Sequence, residues 1–174
     1  MDARRSQRLF DPLFTTETMR GIFSDYGRVQ AMLDFEAALA RAEARAGVVP
    51  AAAAAAIGAQ CRTELFDVDA LAAAAAQAGN SAIPLVRQLT RLVAARDAEA
   101  ARYVHWGATS QDVMDTGLVL QLCSALTAID ADLARLSSAL ATLMSLRKIR
   151  SVTRFAKFEY RLLEPAAARD RISV

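Results

Sequence analysis

The chain has 174 residues, 54% of them hydrophobic, much of that share alanine in runs at 51–56 and 72–76, and a formal net charge of +2. That length holds one domain with its own core, or one domain and part of another, and alanine at this density favours close-packed helices. The N-terminal arginines lead into no apolar stretch and no run of about 18 apolar residues follows, so the expectation is a cytoplasmic protein with no secretory signal, no membrane span and no membrane partner.

Thr15 or Thr16 can cap a short helix running through Arg20. Ser24 can open a second at Asp25, in which Val29, Met32, Leu33, Glu36, Leu39 and Ala40 keep helical spacing. Gly47 and Pro50 close that helix, and Pro50 suits the start of the next, across the first alanine run. A further helix is expected from about Asp67 to Ala78, stopping at Gly79 and Asn80. Pro84 fits the first turn of another that reaches about Ala95. No segment alternates apolar and polar residues at period two, so the fold class is all-α.

After residue 109 the pattern changes. Leu122, Leu126, Ile129, Leu133, Leu136, Leu140 and Leu143 are spaced 4, 3, 4, 3, 4, 3. That narrow apolar seam marks a bundle or coiled-coil helix. A helix from Ser110 to Leu146 would be roughly 55 Å long at about 1.5 Å per residue, and it needs partners to bury its seam. The expected organisation is therefore a helical domain over 1–108, one long helix over 109–146, and a tail over 147–174.

The tail breaks the pattern. Arg147, Arg150 and Arg154 occupy the next seam positions, and the chain's two lysines both fall here. Residues 147–174 carry eight basic side chains against three acidic ones, a balance of +5 that leaves −3 for the rest. The seam's abrupt loss points to a shifted reading frame or a truncated gene rather than a natural extension. Nucleic acid is not an expected partner, because the body offers no basic face to extend the tail.

The chemistry gathers at 103–117, YVHWGATSQDVMDTG, around the only histidine in the chain. A helix beginning at Ser110 presents unpaired N–H groups and a partial positive charge, which suits an anion. Gly107 allows close approach, Thr109, Ser110 and Gln111 add donors, and His105 can bind the same ligand or carry a proton. The stretch has a second reading: Thr109 and Asp112 match a capping box, which consumes the hydroxyl, and His105 and Trp106 could simply pack. There is no GxSxG elbow, phosphate loop or HExxH. Cys61 and Cys123 lack CxxC spacing and read as free thiols, and with one histidine no metal site is expected.

The run HWGATSQDVMDTG from His105 resembles the first signature region of the fumarase/aspartase superfamily. Its form, HxGxTSxDVxDT, is that of the branch holding adenylosuccinate lyase and 3-carboxy-cis,cis-muconate cycloisomerase. LFDPLFTTETMRGIFSD at 9–25, MLDFEAALARAEARAGVVP at 32–50 and AGNSAIPLVRQL at 78–89 are similar to the bacterial cycloisomerases. The resemblance, over about 9–146, implies a helical N-terminal domain leading into the first long helix of a tetrameric bundle. It implies closure of carboxymuconate, a small tricarboxylate, to a lactone in protocatechuate degradation, by general acid–base chemistry without metal or organic cofactor. By the same resemblance Thr109 and Ser110 bind a substrate carboxylate and His105 is the catalytic histidine, binding or helping to transfer protons. Gln111 and Asp112 shape the site, and Asn80 and Ser81 lie nearby.

One departure is large. The superfamily builds each site from three signature regions on three subunits, and stretches resembling GRTxxQxA and GSSxMPxKxN are absent here. The expectation is a truncated, inactive fragment of the enzyme. The alternatives are a fragment of an adenylosuccinate lyase-like lyase and a non-catalytic helical oligomerisation module.

Overall fold

In the computed structural model, which describes residues 11–147, most helices begin at a polar cap. α1 (Asp11–Phe14) and α2 (Glu17–Ile22) are short. Thr16, not Thr15, caps α2, its hydroxyl accepting the Met19 N–H at 3.2 Å. Ser24 caps α3 (Asp25–Arg45) by accepting the Gly27 N–H at 3.0 Å. A Cβ at Gly27 would collide with the carbonyl oxygens of Gly21 and Ile22, so this corner requires glycine.

α3 gives way to Gly47, and Pro50 precedes α4 (Ala51–Gln60). Asp67 caps α5 (Val68–Ala78), accepting the Ala70 N–H at 2.9 Å, and Gly79 ends it in the left-handed conformation. α6 (Ala82–Ala94) starts two residues ahead of Pro84. Asn80 Oδ1 accepts the Ala82 and Ile83 N–H groups at 2.8 and 3.3 Å, which leaves Pro84 in the first turn, where no N–H is needed. α7 (Ser110–Arg147) has 38 residues. The periodicity did not foretell α1 or the 3-10 turns at Thr63–Leu65 and Ala100–Tyr103, since so few residues carry no period. The described chain is all-α, with no strand.

Two compact units divide the chain, the first ending at Ala128 and the second beginning at Ile129. In the first, Met32 and Leu33 of α3, Ile57 of α4, Leu85, Leu89 and Val93 of α6, and Val113 of α7 are at most 1% exposed. Burying each such side chain stabilises the fold by about 1.5–3 kcal/mol. Ala37, Ala40, Ala53 and Ala54 are buried between them and let α3 and α4 approach closely. Cys61 lies in this core, where burial pushes its thiol up to about 12, while Cys123 is exposed; both are free thiols.

Gly117 seats α7 on α3, since a Cβ there would stand 2.9 Å from Met32 Cγ and 3.3 Å from Met32 N. One turn further, buried Gln121 donates to the Ile22 carbonyl at 2.6 Å and accepts from Arg28 at 3.2 Å. Arg28 also donates to the Met114 carbonyl at 3.3 Å, so polar bonds join α7 to α3 and to the end of α2.

The described part of the second unit is the remainder of α7. Here Ile129, Leu133, Leu136, Leu140 and Leu143 are 41–55% exposed, so the seam stands uncovered. By length and composition α7 is apolar enough to cross a membrane, contrary to the expectation of no such segment. Serines and threonines interrupt any purely apolar run without lowering the average below that of a span. The seam spacing and the charged Asp130, Asp132 and Arg135, the last two paired at 2.6 Å on the surface, suit a bundle helix better than a bilayer core. The basic tail beyond Arg147 lies outside the described residues.

Candidate active site

The turn into α7 is backbone of an unusual kind. His105 has φ +58°, the one non-glycine in the left-handed region among the described residues, and Gly107 follows at +70°. Histidine tolerates this region better than a β-branched residue would. The imidazole lies against α3, with Nδ1 2.7 Å from Oε1 of Glu36. Glu36 is only 1% exposed, and a carboxylate so buried would be costly without a partner. An ionised carboxylate only accepts, so in an ion pair with Glu36 the Nδ1 nitrogen would be the donor.

This bond holds the His105 pKa above the ordinary histidine value; burial opposes the shift, and the charges of Glu36, Asp112 and Glu43 add to it. Glu43 follows Glu36 by two turns of α3. Its Oε2 is the one buried side-chain oxygen or nitrogen without a hydrogen bond among the described residues. Burial and then the charge of Glu36 push the Glu43 carboxyl up, and His105 draws it partly back. Gly107 passes over this group, its ideal Cβ position 3.8 Å from Glu43 Oε1.

At the start of α7 the capping box forms. The Thr109 N–H and hydroxyl both donate to Asp112 Oδ2 at 2.7 Å, and the Asp112 N–H donates to the Thr109 hydroxyl at 3.3 Å. These bonds, chiefly the hydroxyl's, hold the Asp112 carboxyl below its usual range. Gln111 donates to Asp115 at 2.6 Å. The Ser110 hydroxyl and the Ser110 and Gln111 N–H groups have no hydrogen-bond partner among the described residues. Trp106 is half exposed and leans on Tyr103, their ring centroids 5.9 Å apart.

His105, Thr109, Ser110, Gln111 and Asp112 thus share one short segment where the chain enters α7. Asn80 and Ser81 sit at the start of α6, where Asn80 is a helix cap and the Ser81 hydroxyl faces Met32 Sδ at 3.8 Å. No hydrogen bond joins these two to His105 or to the start of α7. The sequence reading did not single out Glu36 or Glu43 as site residues. Its signal was nonetheless present, since a glutamate at an apolar position of α3 needs a buried partner.

The lyase family profile matches residues 14–145, and the chain belongs to that family. It is similar to 3-carboxy-cis,cis-muconate cycloisomerase of Pseudomonas aeruginosa, 65% identical over 136 residues, which cover 78% of this chain and 30% of the relative. The crystal structure of the 3-carboxy-cis,cis-muconate lactonizing enzyme from Pseudomonas putida superposes with a TM-score of 0.74 at 62% identity, covering 78% of this chain and 31% of that one. The cycloisomerase structure from Acinetobacter calcoaceticus gives a TM-score of 0.75 at 41% identity, covering 80% and 33%. The chain therefore spans about a third of the length of these relatives.

Proposed function

We propose that these residues form the N-terminal part of a 3-carboxy-cis,cis-muconate cycloisomerase, an enzyme that closes a tricarboxylate to a lactone by general acid–base chemistry. The observation that carries this reading is the loop-to-helix site itself. A histidine held by a buried carboxylate stands five residues before the start of α7, whose Ser110 and Gln111 N–H groups make no hydrogen bond among the described residues. The 65% identity to a cycloisomerase supports the choice of substrate.

In lactonisation a carboxylate oxygen adds across a double bond, and the carbon beside another carboxylate gains a proton. Ser110 and the α7 amides bind that neighbouring carboxylate, where charge develops and fixed donors stabilise it most. Thr109 and Asp112 hold the amides in place through the capping box, Gln111 shapes the rim, and His105 binds substrate or helps move the proton. Asn80 and Ser81 contribute by setting the start of α6. The reaction uses no metal or organic cofactor.

The exposed leucines of α7 are the bundle surface of a homotetramer, and the free thiols suit the cytoplasm. The reading divides the chain into a lyase domain over 1–108, a bundle helix over 109–146 and an atypical basic tail over 147–174. Stretches resembling GRTxxQxA and GSSxMPxKxN do not occur among these 174 residues.

The test is to resequence the gene from codon 140, translate all three frames, and express the restored protein. Finding both missing regions in a shifted frame, with turnover of carboxymuconate that falls sharply in Ser110→Ala, is the expected result. Turnover of adenylosuccinate instead would move the substrate assignment to that lyase. Finding neither region, together with a defined, well-folded oligomer of the present chain in sedimentation, would favour the oligomerisation module that the uncovered seam also fits.

A further inference from the structure

We infer that Glu36 is a positioning residue for His105: its buried carboxylate takes the Nδ1 hydrogen, fixes the ring's tautomer, and leaves Nε2 as the nitrogen that meets the ligand. The inference rests on His105 being a site residue, as proposed above. Its argument is geometric. Glu36 lies on the buried face of α3 with Met32, Leu33 and Ala40, where His105 is its one ion-pair partner among the described residues. Glu43, two turns on along that helix, interacts with Glu36 as a like charge.

The ring is 16% exposed and the carboxylate 1%, so Nδ1 is the inward nitrogen. Nε2 makes no hydrogen bond among the described residues. It is also not a buried orphan, because Glu43 Oε2 is the one such atom there, so Nε2 reaches solvent. The left-handed backbone at His105 costs conformational energy that an unattached side chain would relax. Capture of Nδ1 by Glu36 gives that conformation a reason to persist.

The titratable groups facing the ring are Glu36 and Glu43 from α3 and Asp112 from α7, all of them acids. Together they favour the imidazolium, in which Nε2–H donates to an anion. When the ring is neutral, the bond to Glu36 keeps hydrogen on Nδ1 and makes Nε2 the base. In both states Glu36 acts through His105 without touching the ligand.

The single histidine makes the test direct. The full chain, labelled with 15N-histidine, is titrated by NMR, reading both ring nitrogens. The expected neutral form carries hydrogen on Nδ1, and the expected midpoint lies above the ordinary histidine value. Glu36→Gln keeps an acceptor of the same shape but removes the charge, so its midpoint falls while the tautomer survives. Glu43→Gln lowers the midpoint less. A wild-type ring with hydrogen on Nε2, or an unchanged midpoint in folded Glu36→Gln, would overturn the assignment. Where Glu36→Gln does not fold, the wild-type tautomer decides alone. The expected tautomer in a restored protein that fails to turn over carboxymuconate would remove the cycloisomerase reading and leave the positioning of His105 standing.

Discussion

Glu36 and His105 are 69 residues apart in the chain and 2.7 Å apart in the fold, one inside the core and the other at its edge. The pair ties the loop before α7 to the middle of α3. It joins the stability of the N-terminal unit to the protonation of its candidate site.

That coupling predicts a pH dependence of stability. The folded His105 pKa lies above its unfolded value near 6.5, so the stabilisation is fully present below 6.5 and is lost as pH rises through the folded value. Glu43 acts in the same sense from lower pH: its carboxyl is raised above 4.5, and its contribution is lost as pH rises through that raised value. Thermal melts across this range should show Tm falling with pH, and His105→Gln should flatten the upper part of the fall. A wild-type Tm that climbs steadily above neutral pH would contradict the pairing.

Gly117→Ala should destabilise the first unit by about 1–3 kcal/mol, the usual cost of forcing a methyl group into a packed interface. The added Cβ would meet Met32 at Cγ and at its backbone nitrogen, at 2.9 and 3.3 Å, and backbone yields less readily than a side-chain end. Urea denaturation is the measurement. Gly58→Ala is the control, since nothing lies within 4 Å of its ideal Cβ and alanine is the better helix former.

Leu133→Asp with Leu140→Asp should lower the association of the chain without removing its helical content. These leucines are 41% and 49% exposed and lie seven residues apart on the seam of α7. Sedimentation velocity of the wild type should show concentration-dependent association that the double variant loses, with far-UV circular dichroism little changed. Equal association in both proteins would mean that the seam is not the contact surface.

Helix boundaries were the most legible part of the amino-acid sequence, because capping is a local transaction. Ser24, Asp67 and Gly79 act where the sequence placed them. At α6 the cap came from Asn80, and Pro84 was a passenger of the first turn, a distinction that needs the hydrogen bonds. The motif from His105 to Asp112 was legible for the same reason, since consecutive residues stay together in any fold.

The sequence by itself determined an all-α chain, most of its helix ends, and a leucine seam that needs partners, since propensity, capping and period act over a few residues. Only the tertiary structure decided which carboxylate meets His105, that Gly117 presses on Met32, and that Gly107 lies over Glu43, whose Oε2 makes no hydrogen bond among the described residues. Those relations join α3 to α7 across much of the chain. They follow from how the helices bury their apolar faces together, which no local pattern encodes.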